Sequence, residues 1–185
     1  MEEEEKEMAG LQTRFLEAMT ARQNNDVDAA AEILRGIIKV EPRLPEPHME
    51  LAHILICVGQ LDEALSHAEE AVKTLEMGGQ WTDDLPENTM KSLAYGVLGE
   101  VYRLQADADD IVFGEPEKWE ELVKSSKNAF QKAAALDKDN AHARHWGYSE
   151  HWEHKPEPSI EIDESLELNP SLFPVIDVEI DEDEK

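Results

Sequence analysis

Laying the chain over itself so that Ala18 falls on Ala52 brings small or apolar positions onto small or apolar positions. Val27 then falls on Leu61, Ala30 on Ala64, Leu34 on Ala68, Ile37 on Ala71 and Ile38 on Val72. A unit of about 34 residues whose apolar positions recur at helical spacing cannot bury its own face, so a neighbouring copy has to cover it. The polar breaks coincide as well, Asn24-Asn25-Asp26 in the first copy and Val58-Gly59-Gln60 in the second. Asn and Gly tolerate the left-handed backbone that ends a helix, so each unit reads as helix, tight turn, helix.

A third copy is interrupted. Tyr95, Leu98, Gly99 and Tyr102 belong to its first helix, where Leu98 takes the place of Leu51 but comes later than the repeat spacing puts it, so a stretch has been added. The added stretch, near 77–88, contains Gly78-Gly79 and Pro86, which are loop residues. The second helix, ending at Phe130-Gln131-Lys132-Ala133-Ala134-Ala135-Leu136-Asp137, is displaced further still, placing another insertion near 106–116. A last helix, about Asn140 to Glu153, follows Asp139-Asn140 as its expected N-cap. The count expected is seven helices, three pairs and a terminal one.

These spacings resemble the tetratricopeptide repeat (TPR) family over about residues 8 to 153. The second unit carries the likeness best, with Leu51-Ala52, Leu55, Gly59, Leu61, Ala64, Ala68 and Ala71 at the family's small and large packing positions. Tyr95, Leu98-Gly99, Tyr102, Phe130, Ala133 and Leu136-Asp137 carry it in the third. The first unit departs from the pattern at Arg14 and Glu17, which suits an end that faces water. Pro42 matches the family's closing proline, while Glu76 and Lys138 do not. The resemblance implies an all-α fold, a right-handed α-α superhelix of about three and a half helix pairs over residues 1–154. Small residues would let paired helices approach closely while larger ones fill the gap to the next pair.

Charge and composition narrow the partners. With 43 acidic and 17 basic residues the formal charge is -26, so direct contact with a nucleic-acid backbone is not expected. Aromatics are 6% of the chain, and a core built on Ala, Leu, Ile, Val and Met suits helices better than sheets. The single Cys57 cannot form an intramolecular disulfide. It lies on the apolar run Ile54 to Val58 without a neighbouring base and reads as a small hydrophobe rather than a nucleophile. Neither a secretory signal nor a membrane span is recognised, and the expected location is the cytoplasm or the nucleus.

No catalytic motif emerges, and no cofactor is expected. His142, His145, His151 and His154 form two His-x-x-His pairs in the last helix, where spacing of three can place ligands on one face. At about 100° per residue the four point in at least three directions, so no metal site is assigned and solvent-facing or packing roles are preferred.

In the TPR family the first helix of each pair lines a concave surface where peptides bind. Carried over by position, the resemblance implies a groove that includes Phe15, Met19, Arg22, Met49, Glu50, His53, Val97, Glu100, Arg103, His145 and Trp146. Members that hold the C-terminal carboxylate of large heat-shock chaperones use Lys, Asn and Arg at five positions. Here those positions carry Phe15, Met19, Glu50, Leu93 and Val97, so the clamp is absent and chaperone C-termini are not expected partners. An anionic tail would meet Glu50 without a compensating cation. The groove is better suited to an apolar or basic amphipathic segment.

Residues 155–185 hold 11 acidic residues against two lysines, with Pro156, Pro158, Pro170 and Pro174 spaced through them. An acidic, largely disordered tail is expected there, where helix does not persist. Within it Val175-Ile176-Asp177-Val178 followed by acids resembles short segments that add a strand to the modifier SUMO; the alternatives are a solvated acidic extension, and a fold-back of Leu172-Phe173-Pro174-Val175 onto the groove. The function expected from fold and charge together is a non-enzymatic adaptor or dedicated chaperone holding a polypeptide, with basic proteins as the client class. The alternatives are a metal-dependent enzyme or accessory subunit using the His-rich helix, and a self-assembling scaffold.

Overall fold

A computed structural model describes residues 2–79 and 85–149. They are all-helical, with eight helices among the described residues: α1 Glu2–Gln23, α2 Val27–Val40, α3 Pro45–Cys57, α4 Leu61–Glu76, α5 Glu87–Ala106, α6 Asp109–Gly114, α7 Pro116–Leu136 and α8 Ala141–Gly147.

The helix boundaries follow from local chemistry. Asp26 caps α2 by accepting the Ala29 N–H at 3.2 Å, and Asn140 caps α8 by accepting the Ala143 N–H at 3.0 Å. Pro45 and Pro116 stand in the first turns of α3 and α7, where a missing N–H leaves no bond unmade. The ends of α1 and α3 are built alike. Asn25 and Gly59, which the alignment of the first two copies superimposes, both have left-handed backbone (φ 63° and 76°). The next residue in each case donates its N–H back five positions, Asp26 to Ala21 O and Gln60 to Leu55 O, both at 2.9 Å. The end of α4 repeats this closure at Gly78 and Gly79.

The helices make contact mainly with their neighbours in chain order, α1 with α2, α2 with α3, α3 with α4, α4 with α5, α5 with α7 and α7 with α8, while α6 lies against α7 and α5. The main core joins Ala18, Ala30, Leu34, Leu51, Ala52, Leu55, Ala64, Ala68, Val101, Phe130 and Ala133, all buried. Each large aliphatic side chain buried there contributes about 1.5–3 kcal/mol, and the alanines among them let the helix axes close. α5 lies close against α7, where a Cβ at Gly99 would stand 3.0 Å from three atoms of the Phe130 ring.

Three expectations are corrected. There are eight helices rather than seven among the described residues, because the stretch expected as an insertion at 106–116 contains α6. The terminal helix ends at Gly147, before Tyr148 and Ser149, instead of running on towards Glu153. Gly147 lies so close to α7 that a Cβ would meet Gln131 N at 3.1 Å, and its carbonyl accepts Gln131 Nε2 at 3.0 Å. Third, Cys57 is exposed at the end of α3 and does not serve as a core hydrophobe.

Candidate functional site

Four helices contribute a row of polar and aromatic side chains in which contacts join α1 to α3 and α5 to α8, and His53 of α3 feels the charge of Glu100 of α5. It begins at the C-terminal turn of α1, where Arg22 Nη1 pairs with Glu50 Oε2 of α3. One turn along α3 from Glu50 stands His53, whose Nδ1 is buried and has no hydrogen-bond partner among the described residues. Burial pushes the His53 pKa below the ordinary histidine value; Glu50 and Glu100 pull it upward, and Arg22 opposes them. The neutral ring is therefore the favoured form.

On α5 the spacing of three and four residues aligns Glu100, Arg103 and Asp107. Arg103 grips Glu100 with two bonds, Nη2 to Oε1 at 2.7 Å and Nε to Oε2 at 3.1 Å, and reaches Asp107 Oδ2 with Nη1 at 2.7 Å. Such forked, charge-assisted pairs are about twice as strong as neutral hydrogen bonds. Burial, the largest influence on Glu100, works to raise its pKa, but the Arg103 bonds and charge together with His142 hold it below the usual carboxylate value. The Arg103 guanidinium is raised in turn, first by its bond to Glu100.

α8 closes the line. His142 Nε2 stands 3.6 Å from Glu100 Oε2, and Arg103 Cζ lies 4.6 Å from the Trp146 ring centre. His142 and Trp146 also flank the Phe130 ring, at 5.5 and 6.4 Å between centroids, which fastens the charged line to the core.

Of the expected groove the structure thus pairs Arg22 with Glu50, and joins Glu100, Arg103 and Trp146 with His142 beside them, while His53 feels the charges of Glu50 and Glu100. His145 is exposed and meets Trp146 edge-on at 5.1 Å. Phe15 and Met19 are half-buried against the core. Met49 and Val97 are corrected: at 7% and 4% exposure they are core residues and present nothing to a ligand. Met49 packs with Ala71, Leu75, Met90 and Ala94, and Val97 belongs to the main core. The expectation that Glu50 stands without a cation is also overturned, since Arg22 pairs with it. Sequence reasoning missed Asp107, although its spacing of four from Arg103 was a visible signal. Residues 175–178, carrying Val175, Ile176, Asp177 and Val178, lie outside the described residues, as do His151 and His154.

Chemically, the line is equipped to hold hydrogen-bonding and charged groups of a ligand. Among the described residues no group of three His, Cys, Asp or Glu side chains converges to hold a metal ion. Nor is any described helix long and apolar enough to cross a membrane. A cleft of about 620 Å³ opens elsewhere, lined by Met8, Glu41, Arg43, Leu44, Thr74, Met77, Gly78 and Gly79. It shares no residue with the charged line. The chain matches no protein-family model and none of the curated proteins.

Proposed function

We propose that this chain is a TPR-like stack of helix pairs acting as a non-enzymatic adaptor or dedicated chaperone, which holds a cationic amphipathic segment of another protein against α1, α3, α5 and α8. The observation that carries the reading is a pair of cross-helix clusters, Arg22 with Glu50 between α1 and α3 and Glu100 with Arg103, His142 and Trp146 between α5 and α8, with His53 under the charge of both Glu50 and Glu100. A set of side chains that only capped its own helices would not join elements as far apart in sequence as Arg22 and Glu50. Chain-order helix contacts and the matched left-handed turns at Asn25 and Gly59 support the stacked-repeat part of the proposal.

The partner class follows from electrostatics. A charge of -26 raises the encounter rate with a basic protein and repels polyanions. Half-buried Phe15, Met19 and Trp146 supply apolar contact, while Glu50 and Glu100 accept from Lys or Arg side chains. The test is capture of purified basic proteins and of acidic controls on the immobilised chain across a salt series. Preferential retention of the basic set, falling steeply as salt rises, is the expected result; equal retention of both sets overturns the proposal.

A further inference from the structure

In a chain this acidic, one surface is locally basic. Residues 1–121 carry 28 acidic and 10 basic residues, whereas residues 122–149 carry two aspartates against Lys124, Lys127, Lys132, Lys138 and Arg144. No acidic residue interrupts α7 between Leu122 and Leu136. The buried side of that helix is Val123, Ser126, Ala129, Phe130, Ala133 and Ala134, so its lysines fall on the remaining surface. Lys124, Lys132, Lys138 and Arg144 are exposed and Lys127 is half-buried. Lys124 and Lys132 are about 12 Å apart along the helix axis.

These cations are not consumed internally. Lys73, Lys91 and Arg103 on α4 and α5 each pair with a carboxylate. Lys118, in the first turns of α7, pairs with Glu115, but among the described residues none of the five cations from Lys124 to Arg144 makes an ion pair. Lys132 Nζ instead sits 5.0 Å from the Tyr95 ring centre, and Arg144 Nη1 donates to the Lys138 carbonyl at 3.2 Å, which draws Arg144 towards Lys138.

The same end of the fold leads into the most acidic stretch of the chain. Lys155 is eight residues past Gly147, the end of α8, and α8 packs on α7. Eight residues span at most roughly 28 Å, so the segment that starts there comes within reach of every lysine named. We propose that the lysine surface of α7 and the α7–α8 turn is the docking site for this chain's own residues 155–185, which carry a net charge of -9.

The balance of charges gives this contact an unusual salt dependence. At about 0.01 M salt the screening length is about 30 Å, so the acidic segment feels the strongly negative bulk of the fold and is repelled. Near 0.15 M that length shrinks to about 8 Å, and only the local lysines are felt. At about 1 M it is about 3 Å and the attraction is lost. Docking therefore passes through a maximum at intermediate salt, where a simple ion pair would only weaken.

The experiment follows backbone amide shifts of residues 155–185 in the full ¹⁵N-labelled chain by NMR, in wild type and in Lys124→Gln/Lys127→Gln/Lys132→Gln, with Lys39→Gln/Lys73→Gln as the control. The expected result is that the triple variant alone moves these amides to undocked positions, that the wild-type shifts do not change on dilution, and that they depart furthest from those positions near 0.15 M salt. Amides identical in wild type and triple variant, shifts that follow protein concentration and so report a second copy, or a steady loss of contact from the lowest salt upward would each overturn the proposal. The salt series on wild type stands by itself should the triple variant not fold.

Discussion

His48 of α3 and His67 of α4 meet Nδ1 to Nδ1 at 2.9 Å, and His48 Nε2 lies 3.0 Å from the Pro42 carbonyl oxygen. A carbonyl only accepts, so Nε2 of His48 carries a proton. In the neutral pair its Nδ1 then accepts from the Nδ1–H of His67. The pair can take up one extra proton on His67 Nε2 with the central bond kept, whereas a second, on His48 Nδ1, would set two N–H groups against each other.

That geometry sets the sign of a pH dependence. Burial is the main influence holding both histidines below their ordinary pKa; for His67 the His48 charge and Arg35 add to it, while Glu63 opposes. Pro42 and Glu70 oppose it at His48. The unfolded chain therefore binds protons more readily than the folded one, so the pair's contribution to stability is complete above about pH 6.5 and is lost progressively as pH falls below it. Urea unfolding at a series of pH values checks this. His67→Gln, which can still donate to His48, should flatten the slope between neutral and mildly acid pH; an unchanged slope would show that the pair does not sense protons.

The α5–α7 contact makes Gly99 sensitive to a single methyl group. Alanine would ordinarily gain about 1 kcal/mol over glycine inside a helix. Here its Cβ would press on the Phe130 ring at 3.0 Å, and Phe130 is fully buried, so the ring cannot swing into solvent. Overpacking of this kind costs about 1–3 kcal/mol, so Gly99→Ala is expected to destabilise the fold despite its better helix propensity. Combining it with Phe130→Leu should give a loss smaller than the sum of the two single changes, measured by denaturant unfolding. Additive losses would indicate that the ring and the new methyl do not clash.

Much of this framework is legible in the sequence. The left-handed turns at Asn25 and Gly59 were readable because few residues tolerate that backbone, and the Asn140 cap because its side chain acts within three residues. Short-range pairing such as Glu100 with Arg103 follows from helical spacing alone. Helix α6 was not legible, since six residues are too few to establish a period. Residues that meet across helices were beyond reach as well. Arg22 with Glu50, and His48 with His67, depend on how two axes lie together, which periodicity does not encode. Met49 and Val97 occupy first-helix positions of the expected groove, yet α4 and α5 pack over Met49 and the main core encloses Val97.

A buried polar relay ties α8 to the rest. Asn140 Nδ2 donates to Ser92 Oγ at 2.9 Å, and Ser92 Oγ donates to the Ala133 carbonyl at 2.8 Å, while Asn140 Oδ1 caps α8. Asn140→Ala removes both the cap and the donor, an expected loss of about 2 kcal/mol if each is worth about 1. Asn140→Asp keeps the capping oxygen and loses the donor to Ser92, so it should fall between alanine and wild type. Hydrogen exchange at the Ala143 amide separates the two functions: it should quicken in Asn140→Ala and stay slower in Asn140→Asp. Equal exchange in both variants would mean that the cap does not hold α8.

The pairing of Arg22 with Glu50 bears directly on the client. Should a cationic segment dock on this line, Arg22 competes with it for the Glu50 carboxylate, and removing the competitor should tighten binding. The two side chains remain 44% and 23% exposed, so their pairing is worth about 0–1 kcal/mol. Arg22→Gln is therefore expected to lower the Kd of a Lys- and Leu-containing amphipathic peptide by less than about tenfold, and Glu50→Gln to raise it. Fluorescence anisotropy of the labelled peptide against each variant measures both changes. An acidic peptide of equal length supplies the opposite arm, because it would use Arg22 as its partner and lose affinity in Arg22→Gln. If the acidic peptide is the one retained and the basic one is indifferent to both substitutions, then net charge governs only the approach of partners, and the cationic-client reading of this surface fails.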